Sequence, residues 1–168
     1  MHVDQARAFA VQSHGSQKYG PFPYVFHLDT VAMLVMAHGG EAMTVAYLHD
    51  VVEDTPTTIE HVRAAFGETV ARCVALLTDE SGAKREDRKE KTHAKLARAG
   101  ADCALGLIVK AADRLANLRM CQASREASKL AMYQREHVAF RAAAYRAGLC
   151  DELWEEIDRL IAGAPVTS

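Results

Sequence analysis

Apolar residues recur at helical spacing from Val3 to His14, and a period near 3.6 returns along most of the chain. The first interruption is GSQKYGPFPY, whose two glycines and two prolines read as a break. Asp29 or Thr30 can cap a second helix that runs to about His38, where Gly39-Gly40 ends it. Glu41 to Asp54 reads as the next helix, stopped by Thr55-Pro56. Thr57 with Glu60 fits a capping box for a helix ending at Phe66, and Gly67 separates it from the apolar ETVARCVALLTD. ESGAKREDRKEK is the most polar stretch and reads as a loop entering another helix. ALGLIVKAADRLANLRM follows as a long, largely buried helix, and two amphipathic helices, about Lys129–Ala147 and Asp151–Ala162, complete the pattern. No segment alternates with period two for long enough to read as a strand. The expectation is all-α: one helical-bundle domain over residues 1–168.

Composition narrows the class of function. The length of 168 residues suits one domain with a proper core, and 20 basic against 22 acidic residues leave a net charge of −2. That balance lacks the basic excess of a nucleic-acid binder. Cys73, Cys103, Cys121 and Cys150 are scattered without a C-x-x-C pair, as buried thiols of a reducing compartment would be. MHVDQARAFA is too polar for a signal peptide, and no apolar run reaches membrane-spanning length. A cytoplasmic location is expected, with no nucleic-acid or membrane partner.

The unusual stretch is AYLHDVVEDT, residues 46–55. On a continuous helix His49, Glu53, Asp50 and Asp54 fall at about 0°, 40°, 100° and 140°, so they share one side. Like charges four apart weaken a helix, which implies that a cation sits against them. His27, in PYVFHLDTVA, and Asp113, in the apolar KAADRLANLR, are the natural further ligands, since an unpaired aspartate in such a helix would be costly. Two imidazoles and two carboxylates suit manganese, iron or zinc better than calcium and leave room for water and substrate. Glu53 and Asp54 then stand beside the metal, able to orient or deprotonate that water.

H…HD…D is the pattern of the HD-domain metal-dependent phosphohydrolases. PYVFH, AYLHDVVEDT and VKAADRLANLR together resemble the hydrolase domain of the RelA/SpoT homologues, closest in size to the single-domain small alarmone hydrolases. The resemblance runs from His14 to about Tyr145. It implies an all-helical fold, one divalent metal (manganese) on His27, His49, Asp50 and Asp113, a catalytic pair Glu53 and Asp54, and a nucleotide contact at Asn117. The implied reaction removes pyrophosphate from the 3′ position of guanosine tetra- or pentaphosphate. Departures cluster at the base pocket. HGSQKYGPFPY is one residue shorter than the family's stretch and places Lys18 and Tyr19 there, Leu28 follows His27 in place of proline, and Ala116 replaces a larger residue.

Lys18, Arg88, Lys89, Lys91 and Lys129 are candidates for phosphate contacts, and Tyr133, one turn after Lys129, for a substrate contact. Lys110 can pair with Asp113. His14, His38, His61, His93 and His137 lack a carboxylate pattern and read as structural. Two other functions compete: a 5′-nucleotidase-like phosphohydrolase on the same scaffold, and a nucleotide-sensing module without activity. Intact ligands with the Glu53-Asp54 pair favour the hydrolase. No synthetase segment follows, so hydrolysis alone is expected. The oligomeric state stays open.

Overall fold

The computed structural model describes residues 2–163. It is all-α apart from one small hairpin: α1 (His2–His14), β1 (Lys18–Tyr19), β2 (Phe22–Pro23), α2 (Val25–Leu34), a 3-10 turn at Met36–His38, α3 (Gly40–Leu48), α4 (Val51–Asp54), α5 (Ile59–Phe66), α6 (Glu68–Leu77), α7 (Arg85–Ala97), α8 (Ala104–Ala123), α9 (Ala127–Ala144) and α10 (Asp151–Ile161). None of these helices is long and apolar enough to cross a membrane.

α8 is the axis of the molecule. It packs against α2, α3, α6, α9 and α10, and buries Leu107, Ile108, Val109, Ala111, Ala112, Leu115 and Leu118. At Gly106 the approach of α6 is close: a Cβ would lie 3.1 Å from Leu76 Cδ2 and 3.5 Å from the Cys73 carbonyl. α3 is buried on nearly every side between α1, α2, α6 and α8. The ends of α2, α3 and the middle of α8 therefore meet inside the protein, where His27, His49 and Asp113 sit.

Several boundaries differ from the sequence reading. The break 15–24 contains the hairpin, with Lys18 opposite Pro23 and Tyr19 opposite Phe22. Two-residue strands are too short to show alternation. α2 starts four residues before Asp29, and neither expected cap serves it: Asp29 takes a bidentate ion pair from Arg7 and a hydrogen bond from Tyr47, while Thr30 Oγ1 donates back to the Phe26 carbonyl. The cap of α5 is Thr58, not Thr57. Its Oγ1 accepts from the His61 backbone N–H, and His61 Nδ1 accepts from the Thr58 N–H, both at 3.3 Å. RKEK lies within α7, and the loop is confined to residues 78–84.

The most consequential difference is at residues 49–50. The expected helix 41–54 is broken there, with Asp50 at φ −104° and ψ −4°. On a continuous helix adjacent side chains diverge. The break instead brings His49 Nε2 to 3.0 Å from Asp50 Oδ2.

Candidate metal centre and cleft

Four donor atoms converge from three elements. His27 (α2) and His49 (the end of α3) face each other with Nε2 atoms 3.3 Å apart. Asp50 Oδ2 is 3.7 Å from His27 Nε2, and Asp113 Oδ1 is 3.3 Å from His27 Nε2 and 3.7 Å from His49 Nε2. Both imidazoles are fully buried, whereas the carboxylates are partly open to the cleft. Among the described residues His27, His49 and Asp50 form the group able to hold a metal ion.

The spacing fits an ion at the centre. Two donors each about 2.1 Å from a common metal lie about 3.0 Å apart at a right angle and about 3.4 Å apart at the tetrahedral angle. The donor chemistry fits too. His49 Nδ1 donates to the Ala46 carbonyl at 2.6 Å, which leaves the Nε2 lone pair pointing at the centre. Burial alone would depress the His49 pKa and raise those of Asp50 and Asp113. The mutual attraction of imidazoles and carboxylates outweighs it, holding His49 well above its ordinary value and both aspartates below theirs. The site favours positive charge among its anions.

Further residues position these ligands. The Tyr24 hydroxyl donates to Asp50 Oδ2 at 2.5 Å, and burial beside Asp50 pushes its phenol up. Asn117 donates its amide to Asp113 Oδ1 at 2.6 Å and accepts from the Tyr19 hydroxyl at 2.9 Å. Tyr19 also stacks on His27 at 4.6 Å. Nothing in the sequence marked Tyr24 as a ligand's partner, although it stands in the quoted PYVFH.

The centre opens into a cleft of about 440 Å³ that includes Glu53, Asp54, Arg85, Lys89, Lys110, Arg114, Asn117, Lys129 and Tyr133 in its walls. Glu53 Oε2 accepts the Asp79 N–H at 3.0 Å, and desolvation raises its pKa. Asp54 Oδ2 accepts from the Gln17 amide at 2.8 Å. The basic wall is already balanced: Lys89 pairs with Asp79 at 2.6 Å, Arg85 with Glu136 at 2.7 Å, and Lys129 with Glu126 at 3.6 Å. Lys110 donates to the Leu77 carbonyl instead of pairing with Asp113 as expected. The Arg114 guanidinium lies between the rings of Tyr133 and Phe140, at 4.5 and 4.3 Å, and its buried Nη1 has no partner among the described residues.

Three expected phosphate contacts are not in these walls. On α7, Arg85 and Lys89 are one turn apart and share the cleft-facing side. Arg88 and Lys91 are rotated away, donating to the Gly82 and Ser81 carbonyls. Lys18 precedes Tyr19 in β1, and successive strand residues face opposite ways, so Tyr19 turns inward and Lys18 outward. Arg85 and Arg114 were missed. An i, i+4 pairing of Arg85 with Lys89 was the available signal for the first; the second lay unremarked beside Asp113.

A family model described as HD domain matches residues 6–150. The guanosine-3′,5′-bis(diphosphate) 3′-pyrophosphohydrolase of Aquifex aeolicus is 31% identical over 150 residues, 88% of this chain and 22% of the relative. The guanosine-3′,5′-bis(diphosphate) 3′-pyrophosphohydrolase MESH1 of Danio rerio is 36% identical over 119 residues, 66% of this chain and 64% of the relative. The chain thus spans less than two thirds of either. A solved structure of a metazoan ortholog of SpoT that hydrolyzes ppGpp and plays a role in starvation responses matches with a TM-score of 0.73 at 24% identity, covering 94% of both chains, a likeness of fold.

Proposed function

The chain belongs to the HD-domain family, and from that premise we propose that it hydrolyses the 3′-pyrophosphate of guanosine tetra- or pentaphosphate, releasing pyrophosphate. The family implies a divalent metal, for which His27, His49 and Asp50 supply a site. Asp113 is proposed as the fourth ligand and manganese as the ion, with iron or zinc as substitutes. The names of the Aquifex and Danio relatives support the substrate. The observation that carries the reading is the pairing of this donor set with a wall of five cations in one cleft.

A divalent metal held by His27, His49, Asp50 and Asp113 would supply Lewis-acid chemistry, making a water more acidic and a phosphoryl group more electrophilic. The chain's own groups do the rest. Glu53, with its raised pKa and with Oε2 held by the Asp79 N–H, takes a proton from the attacking water. The new bond joins the water oxygen to the phosphorus nearest the ribose; the bond from that phosphorus to the 3′ oxygen breaks, and the 3′ oxygen regains a proton. Asp54, held by Gln17, is the second carboxylate at the reacting centre. Arg85, Lys89, Lys110 and Lys129 exchange their present partners for phosphate oxygens, with Asn117 and Tyr133 lining the same cleft.

The competing 5′-phosphohydrolase reading differs in product. Purified protein with manganese should convert guanosine tetraphosphate to guanosine diphosphate and pyrophosphate, followed by phosphorus NMR. Orthophosphate from nucleoside monophosphates, with guanosine tetraphosphate untouched, would replace this reading by the second.

A further inference from the structure

His14 is a buried imidazole at the end of α1 that belongs neither to the donor set nor to the cleft wall. Its Nδ1 lies 2.8 Å from Gln17 Oε1, and the Gln17 amide nitrogen lies 2.8 Å from Asp54 Oδ2. The carboxylate of Asp54 accepts hydrogen bonds only, so it decides which end of the Gln17 amide faces it: the NH₂. Gln17 Oε1 is then turned to His14, and an acceptor there requires His14 Nδ1 to carry the proton. The other ring nitrogen agrees, because His14 Nε2 is buried without a partner, and an unmet acceptor costs less than an unmet donor.

The backbone ties His14 and Gln17 to Tyr24 as well. The Gln17 N–H donates to the His14 carbonyl, and the Gln17 carbonyl accepts from the Tyr24 N–H, both at 3.0 Å. The His14 ring also stacks on Tyr24 at 4.4 Å, and Tyr24 is the residue that holds Asp50. One side chain at the end of α1 thereby bears on Asp54 through Gln17 and on Asp50 through Tyr24.

We propose that His14 and Gln17 are positioning residues for the reaction: the Nδ1–H of His14 orients the Gln17 amide, which aims Asp54 into the cleft. The inference rests on the reading of Asp54 as a reacting-centre carboxylate. Its substitutions separate donor from shape. His14→Phe keeps a buried ring against Tyr24 but removes the Nδ1–H. His14→Asn sacrifices the ring, yet its amide nitrogen stands where Nδ1 stood. Gln17→Leu removes the relay itself.

With guanosine tetraphosphate and manganese, His14→Phe and Gln17→Leu should lower kcat by about tenfold or more, with KM within about twofold and metal content unchanged. His14→Asn should regain most of the loss in kcat despite its smaller volume. A His14→Phe variant as active as the wild type, or a folded His14→Asn variant no better than His14→Phe, would overturn the proposal. Nitrogen NMR of the metal-free wild type gives a readout independent of turnover. It should find the His14 proton on Nδ1, and finding it on Nε2 overturns the relay. A wild type inactive on guanosine tetraphosphate but with the Nδ1–H tautomer in place would refute the proposed substrate and leave the relay supported.

Discussion

Asp113, the proposed fourth ligand, reaches the candidate metal centre from α8, remote in the chain from the His49-Asp50 pair, and without it a bound ion would keep two imidazoles and one carboxylate. Asp113→Ala should therefore weaken metal binding by about tenfold or more, since even residues that merely orient ligands cost that much. Glu53→Gln should behave oppositely, keeping the metal while turnover falls by about 10²-fold or more. Metal analysis of the purified variants beside their kcat values checks both; unchanged metal in Asp113→Ala, or normal turnover in Glu53→Gln, would sink the respective role. At this scale the candidate donor group of His27, His49 and Asp50 was legible because an imidazole or carboxylate in an apolar helix demands a partner. Which cation faces the cleft was not, as Lys89 and Arg88 differ only in their direction around α7.

Among the elements, α5 shows how a local signal can point one residue astray. Thr57 and Thr58 are both plausible caps, and the Thr57-Glu60 spacing fits the familiar pattern. The chain uses Thr58 because His61 supplies the reciprocal acceptor, while Thr57 Oγ1 is engaged with Thr55 and Ser13. Thr58→Ala should lower unfolding stability by about 1 kcal/mol, whereas Glu60→Ala should leave the urea midpoint nearly unchanged. The reverse order would return the cap to Thr57 and Glu60. The break at 49–50 belongs to this scale as well. His49 and Asp50 are weak helix formers but not breakers, so periodicity alone runs the helix through, and the turn away from helical geometry is offset by contacts with α2 and α8 that lie far away in sequence.

For the whole molecule, Cys73 and Cys150 are buried free thiols, and burial pushes both up to about 11. A folded pKa raised above its ordinary value of 9.0 contributes stability that is complete below that value and lost as pH rises through about 11. Each thiol should cost up to about 2–3 kcal/mol by pH 11. Urea unfolding should thus show a marked fall between pH 8 and 10.5, and the Cys73→Ala, Cys150→Ala double variant, though weaker at pH 8 for lost packing, should fall less. An equal fall in both proteins would refute the assignment.

Helical class, the order of most helices and His27, His49 and Asp50 as candidates for a metal site were determined by the sequence alone. Each rests on local periodicity or on the desolvation cost of one residue type, and both can be judged without knowing the fold. Only the tertiary structure decided that Tyr24 and Asn117 hold the two aspartates, that Arg85 and Arg114 enter the cleft while Arg88 and Lys18 leave it, and that His14 reaches Asp54 through Gln17. These depend on how helices distant in the chain are rotated against one another. A rotation of one residue on a helix turns a side chain by about 100°, enough to exchange cleft for solvent without altering the hydrophobic pattern that folds the chain.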